Sequence, residues 1–261
     1  AAIFSKDSLT INGNGILTVT ANYNDGLASK DELTIASGVL IVNAVDDGIR
    51  GKDFLTVQSG RITVNAGGDG LKSDNDEDTT KGVIAIEYGT LNVTAGGDAI
   101  QAETTVTITN GEFTLASGGG NSAVIGEDDS AKGIKGNTSV TINGGTFSID
   151  SADDAIHSNG GVLINGGLFA IASGDDGVHA DATLDSSGGD MTIARSYEGI
   201  ESAIITINGG SIHIVASDDA LNVAGGTDSS GFAGAPGQGR GPRPGQETFA
   251  ANSDYWLYMN G

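Results

Sequence analysis

The residues with the plainest chemistry are acids, and they recur in phase. Asp25-Gly26-Leu27 is followed by Asp47-Gly48-Ile49 and Asp69-Gly70-Leu71 at steps of 22 residues. Asp98-Ala99-Ile100 comes 29 residues later, and Lys132-Gly133-Ile134, with a base in place of the acid, 34 after that. Asp154-Ala155-Ile156, Asp176-Gly177-Val178 and Glu198-Gly199-Ile200 resume the step of 22, and Asp219-Ala220-Leu221 follows after 21. Four turns double the acid: Asp46-Asp47, Asp153-Asp154, Asp175-Asp176 and Asp218-Asp219. Stacked one period apart, such carboxylates lie about 5 Å from one another and repel by about 1 kcal/mol or more per pair. A hard divalent cation relieves that repulsion, since calcium gathers carboxylate and carbonyl oxygens at about 2.3–2.6 Å. These acids are therefore expected to bind calcium. The competing reading is a solvated acidic ridge with Asp as a turn former, which suits the single Asp-Gly turns better than the doubled ones. With no cysteine and only three histidines, zinc is not expected.

Other polar residues share the phase. His157 and His179 lie three residues after their acids, where Arg50, Lys72 and Lys135 stand in other coils. They read as sugar-contacting or acid–base groups, or as exposed turn residues. The run Asp74-Asn75-Asp76-Glu77-Asp78 offers oxygens for a further calcium or forms a solvated loop.

The elements that must position these groups follow from the apolar pattern. Leu33 and Ile35, Leu40 and Val42, Leu55 and Val57, Ile62 and Val64, Phe147 and Ile149, and Phe169 and Ile171 alternate with polar residues. Period two means strands with one buried face. Three short strands in 22 residues wind into a solenoid whose coils pair with their neighbours. The expected fold is a single all-β, right-handed parallel β-helix over 1–261. The longer steps carry insertions at Asp74–Thr80 and Gly119–Ala131. Gly-Gly at 144–145, 166–167 and 209–210, each after an asparagine, reads as a corner needing positive φ, with the asparagines stacked into a ladder. Residues 225–250, which hold all three prolines, read as a Gly/Pro-rich excursion. Both ends read as strands without polar caps. Further coils are therefore expected on either side, or end-to-end self-association.

Composition narrows the partners. Twelve basic residues against 34 acidic ones leave a net charge of −22, which argues against nucleic acid and anionic membrane surfaces. No apolar run is long enough for membrane insertion. The first ten residues lack the pattern of a signal peptide, so any export signal lies outside this chain.

Several segments also resemble a known family. Ala2-Ile3-Phe4-Ser5-Lys6-Asp7, Asp47-Gly48-Ile49-Arg50-Gly51-Lys52-Asp53, Asp153-Asp154-Ala155-Ile156-His157-Ser158 and Gly174-Asp175-Asp176-Gly177-Val178-His179-Ala180-Asp181 are similar to a bacterial family of extracellular carbohydrate-binding β-helix proteins. So are Tyr197-Glu198-Gly199-Ile200-Glu201 and Ser217-Asp218-Asp219-Ala220-Leu221-Asn222. The resemblance implies a calcium-binding β-helix, secreted or on the cell surface, that binds cellulose and pectic polysaccharides. It brings Asp53 and Asp181 among the metal candidates. The fold also resembles that of family 9 pectate lyases, where calcium at stacked Asp turns meets a lysine base.

The expected function is calcium-dependent binding of plant cell-wall glycans, with polygalacturonate bridged through calcium and neutral glycans held by exposed aromatics. Tyr197 is one such ring; Tyr23, Tyr88, Tyr255 and Trp256 are others. Two alternatives are a calcium-dependent pectate lyase with Lys72 as base and a structural fibre subunit.

Overall fold

The computed structural model describes residues 1–126, 129–224 and 255–260. They form a parallel β-solenoid of about ten coils with about 22 residues per coil. Each regular coil carries three strands. The coil that starts at the second acid turn has Ile49–Gly51, Phe54–Val57 and Arg61–Ala66. Each strand pairs in parallel with its counterpart one coil on: Leu71 with Ile49, Ile84 with Leu55, Leu91 with Ile62.

Strict alternation makes this stacking stable. Leu33, Leu55, Ile84, Val106, Val140, Val162, Leu184 and Ile205 succeed one another in register along the interior, all buried. On the next wall the rings of Phe113, Phe147 and Phe169 stack with centroids 4.6 and 4.7 Å apart, the spacing of neighbouring strands. Stacked rings add about 0.5–1.5 kcal/mol per pair beyond their burial. A polar residue at any of these positions would leave an unpaired group in a dry core, and the penalty would fall on three coils at once.

The insertions do not disturb the register. Leu71 still pairs with Ile100, and Ile100 with Ile134, so the extra residues leave the solenoid and return. The Gly-Gly corners behave as expected: Gly145, Gly167 and Gly210 have φ of 119°, 122° and 94°. The asparagine ladder is present where Asn165 Nδ2 donates to Asn143 Oδ1 at 2.9 Å. The expected excursion over 225–250 lies outside the described residues. Beyond it, Trp256–Met259 pairs with Ile204–Ile207 as one more strand.

The acid turns form one continuous ridge. Gly26 N donates to Asp47 O, Gly48 N to Asp69 O, Gly70 N to Asp98 O, and so on to Gly199 N and Asp219 O. Little room exists there: a Cβ at Gly48 would lie 2.6 Å from the Gly70 carbonyl oxygen. The ridge is thus a tight backbone stack from which side chains project at fixed height.

Candidate functional site

Five acids on the ridge divide their two oxygens between two tasks. One oxygen caps the next coil. Asp47 Oδ1 accepts the Asp69 amide at 2.9 Å, Asp69 Oδ1 the Asp98 amide at 2.8 Å, and Asp98 Oδ1 the Lys132 amide at 2.7 Å. The pattern resumes with Asp154 Oδ1 to the Asp176 amide at 3.0 Å and Asp176 Oδ1 to the Glu198 amide at 3.2 Å. The other oxygen faces the residue three places after an acid. Pairing carries these residues up one column: Arg50, Lys72, Gln101, Lys135, His157, His179, Glu201 and Asn222.

In the lower coils that column is cationic except at Gln101. Lys72 Nζ lies 2.7 Å from Asp69 Oδ2 and 3.2 Å from Asp47 Oδ2. Lys135 Nζ is 3.6 Å from Asp98 Oδ2, and Arg50 holds Asp74 at 2.8 Å and reaches Asp25 at 4.0 Å. The stacked charges are therefore partly balanced by bases and backbone amides, a compensation that the repulsion argument from sequence did not include. The acids act on Lys72 in turn. Burial favours its neutral form, but the carboxylates of Asp69 and Asp47 outweigh this and hold it well above the usual lysine range.

Among the described residues, three groups of donors lie close enough to share an ion, their ligand atoms within 4.8 Å of one another: Asp25, Asp46 and Asp47; Asp153, Asp154 and Asp175; and Asp176, His179 and Glu201. In the first, the Asn24 amide lies 3.2 Å from Asp25 Oδ1 and 2.7 Å from Asp46 Oδ2. Turned one way its NH2 donates to both; turned the other way its carbonyl oxygen joins them as a fourth oxygen ligand. The all-oxygen chemistry of the first two groups fits a hard cation such as calcium.

The second group opens into a groove of about 1280 Å³ on the ridge, walled on one side by residues 121–126 and 129–130 of the insertion. Lys132, Lys135, His157, Arg195 and Tyr197 line it with the three acids. Lys132 Nζ sits against Asp153 Oδ2 and 3.6 Å from Asp154 Oδ2. Burial alone would raise Asp154, but Lys132, His157 and His179 hold it well below the usual carboxylate range. Arg195 Nη1 donates to Asn121 Oδ1 at 2.9 Å and to Ser122 Oγ at 2.7 Å, tying the inserted wall to the solenoid. A bulge frees it for this: Ala172 pairs with Arg195, and Ala194 is the extra residue. Burial and the Asp218 carboxylate push the Tyr197 phenol up to about 12.

The model of the family of carbohydrate-binding domain-containing proteins matches residues 1–177. The chain belongs to that family. A family relative from Acetivibrio thermocellus, described in the same words, is 48% identical over 44 residues, which are 17% of this chain and 15% of the relative. The match thus spans less than a fifth of either protein. Among solved structures, the polysaccharide lyase-like protein from C. thermocellum, solved as a gadolinium derivative, aligns over 84% of this chain and 88% of its own at 19% identity. Its TM-score is 0.31, too low for any argument about this chain. The carbohydrate-binding family is thus reached by sequence.

Other expected residues lie apart from the three groups. Asp53 is held by Asn75 at 2.6 Å and Lys81 at 2.8 Å, Asp74 by Arg50, and Asp69 by Lys72. Glu198 accepts from Asn222 Nδ2 at 2.7 Å, and Asp181 Oδ1 lies 2.9 Å from His179 Nε2. Asp218 reaches Tyr197, and Asp219 is exposed. His157 faces the groove between Asp154 Oδ2 and Asn159 Oδ1, each at 2.7 Å. His179 does not; it is buried. Sequence reasoning passed over Lys132, Arg195, Asn24 and Glu201 as site residues. Glu201 had a signal, since it occupies the phase of His157 and His179; Arg195 had none.

Proposed function

We propose that this chain binds acidic plant cell-wall polysaccharide, polygalacturonate above all, outside the cell. Calcium at Asp153, Asp154 and Asp175 joins the protein to the polymer's carboxylates. The observation that carries this reading is the groove, which sets an all-oxygen triad, the bases Lys132 and Lys135, and the Tyr197 ring along one wall system. A protein of net charge −22 repels a polyanion unless cations stand between them. An open triad of this kind suits the weak calcium binding, about 10⁻⁴–10⁻³ M, of extracellular modules. Calcium entering the triad also displaces the Lys132 ammonium toward the groove, where it can pair with a uronate. A neutral chain such as cellulose would instead lie on Tyr197 and need no ion.

Affinity electrophoresis tests this. Polygalacturonate in the gel should retard the chain in calcium and lose that effect in chelator, while any retardation by a soluble cellulose derivative survives chelation. Asp153→Asn with Asp175→Asn should abolish the first effect only. Equal retardation by polygalacturonate with and without chelator would refute the calcium bridge.

A further inference from the structure

The third donor group differs from the other two in chemistry and in burial. Asp176 and His179 are 0% and 1% exposed, and Glu201 is 7% exposed. His179 Nδ1 stands 3.2 Å from Asp176 Oδ2 and 3.5 Å from Glu201 Oε2. Glu201 Oε2 is fully buried yet accepts no hydrogen bond among the described residues. Its other oxygen takes the Asn222 amide at 3.4 Å, so Oε2 faces His179 Nδ1 with no hydrogen bond of its own. On the far side of the ring, Asp181 Oδ1 lies 2.9 Å from Nε2. With a metal on Nδ1, the carboxylate there would hold the Nε2–H tautomer and orient the ring.

We infer that Asp176, His179 and Glu201 form a second kind of metal site, one for a zinc-class divalent ion, separate from the all-oxygen groups. The inference does not depend on the calcium reading of the groove. Two carboxylates and a neutral imidazole balance a dication, and the imidazole nitrogen favours zinc or its transition-metal neighbours over calcium. Donor separations of 3.2 and 3.5 Å match the edges of a small tetrahedron around one ion. Zinc was not expected from the sequence because its ligands come from two coils and its one nitrogen from a sparse residue type.

The test is X-ray absorption at the zinc edge on the intact chain, loaded with one equivalent of zinc in excess calcium. The expected spectrum shows one imidazole and oxygen or nitrogen ligands at about 2.0–2.1 Å. Glu201→Gln, which keeps the side chain's shape, should weaken zinc at least about tenfold in competition titrations. Asp153→Asn with Asp175→Asn should leave zinc affinity unchanged while removing calcium from the groove, so failure of one site is separable from failure of the other. An all-oxygen shell, displacement of zinc by calcium, or unaltered affinity in Glu201→Gln would overturn the inference. Should Glu201→Gln not fold, the spectrum of the unaltered chain decides alone.

Discussion

The coil at Asp69 and the coil at Asp176 occupy the same phase of the repeat and solve the same electrostatic problem differently. In both, one carboxylate oxygen caps the next coil's amide. In the first, the other oxygen meets Lys72, an ammonium built into the chain. In the second, it meets His179, with Glu201 rather than a base one coil further on. The backbone is indifferent to this choice; the residue three places after the acid decides whether the ridge closes its own charge or leaves it for protons and ions. A period of 22 residues therefore fixes where acids stand, and a single position per coil fixes what they do.

The comparison is most severely strained by taking the ammonium away. Lys72→Met leaves Asp47 and Asp69 stacked without their cation. The expected loss is about 2–4 kcal/mol, near the cost of orphaning one partner of a buried pair and eased by partial exposure. Denaturant midpoints should show it, and Lys72→Arg should recover most of it. A neutral effect of Lys72→Met would mean that the amide caps alone carry these acids.

Acidity sharpens the contrast. Burial among Asp154, Glu201 and Glu198 pushes Asp176 up to about 9, and burial with Glu201 and Asp219 nearby pushes Glu198 up to about 8. Both values are raised above the unfolded ones, so their contribution is complete below about pH 4 and is lost as pH rises toward 8–9. His179, raised to about 12, has the same sign: full contribution below about 6.5 and loss above. Lys72, raised from 10.5, contributes unchanged until the pH exceeds that value. In chelator, melting temperature should therefore fall between pH 6 and pH 9, and Glu201→Gln should reduce the fall by removing one of the competing charges. A flat profile would contradict this assignment.

The smallest effect is expected at the groove wall. Arg195→Ala removes the two hydrogen bonds to Asn121 and Ser122 but no core contact. Stability should change by no more than about 0.5 kcal/mol. Retardation by polygalacturonate should weaken measurably, because the wall is no longer tied down.

Much of the fold is legible in the chain because its signals are local and repeated. Alternation at Leu55 and Val57, the glycines at 145 and 167, and the step between Asp154 and Asp176 each report one coil and are echoed by the next. The clustering of Asp25 with Asp46 and Asp47, and of Asp153 with Asp154 and Asp175, follows from the same step. What stayed hidden depends on side-chain direction. Lys72 has the spacing of a sugar ligand, yet it turns back onto the acids. His179 has the spacing of His157 but lies beneath the surface, because Asp181 and Glu201 enclose it. The groove depends on where residues 121–126 fold and on a bulge at Ala194, neither of which a periodic pattern encodes.

Amide hydrogen exchange, resolved by coil, tests the central claim most directly. The amides of Gly48 and Ile49 bond to the coil at Asp69, and those of Gly177 and Val178 to the coil at Glu198. Exchange would be measured in chelator at pH 6 and pH 9 and corrected for intrinsic rates. The account predicts that protection at Gly177 and Val178 falls at the higher pH while protection at Gly48 and Ile49 holds. Equal loss in both coils, or loss only near Lys72, would contradict the claim that the residue three places after the acid sets how each coil balances its charge.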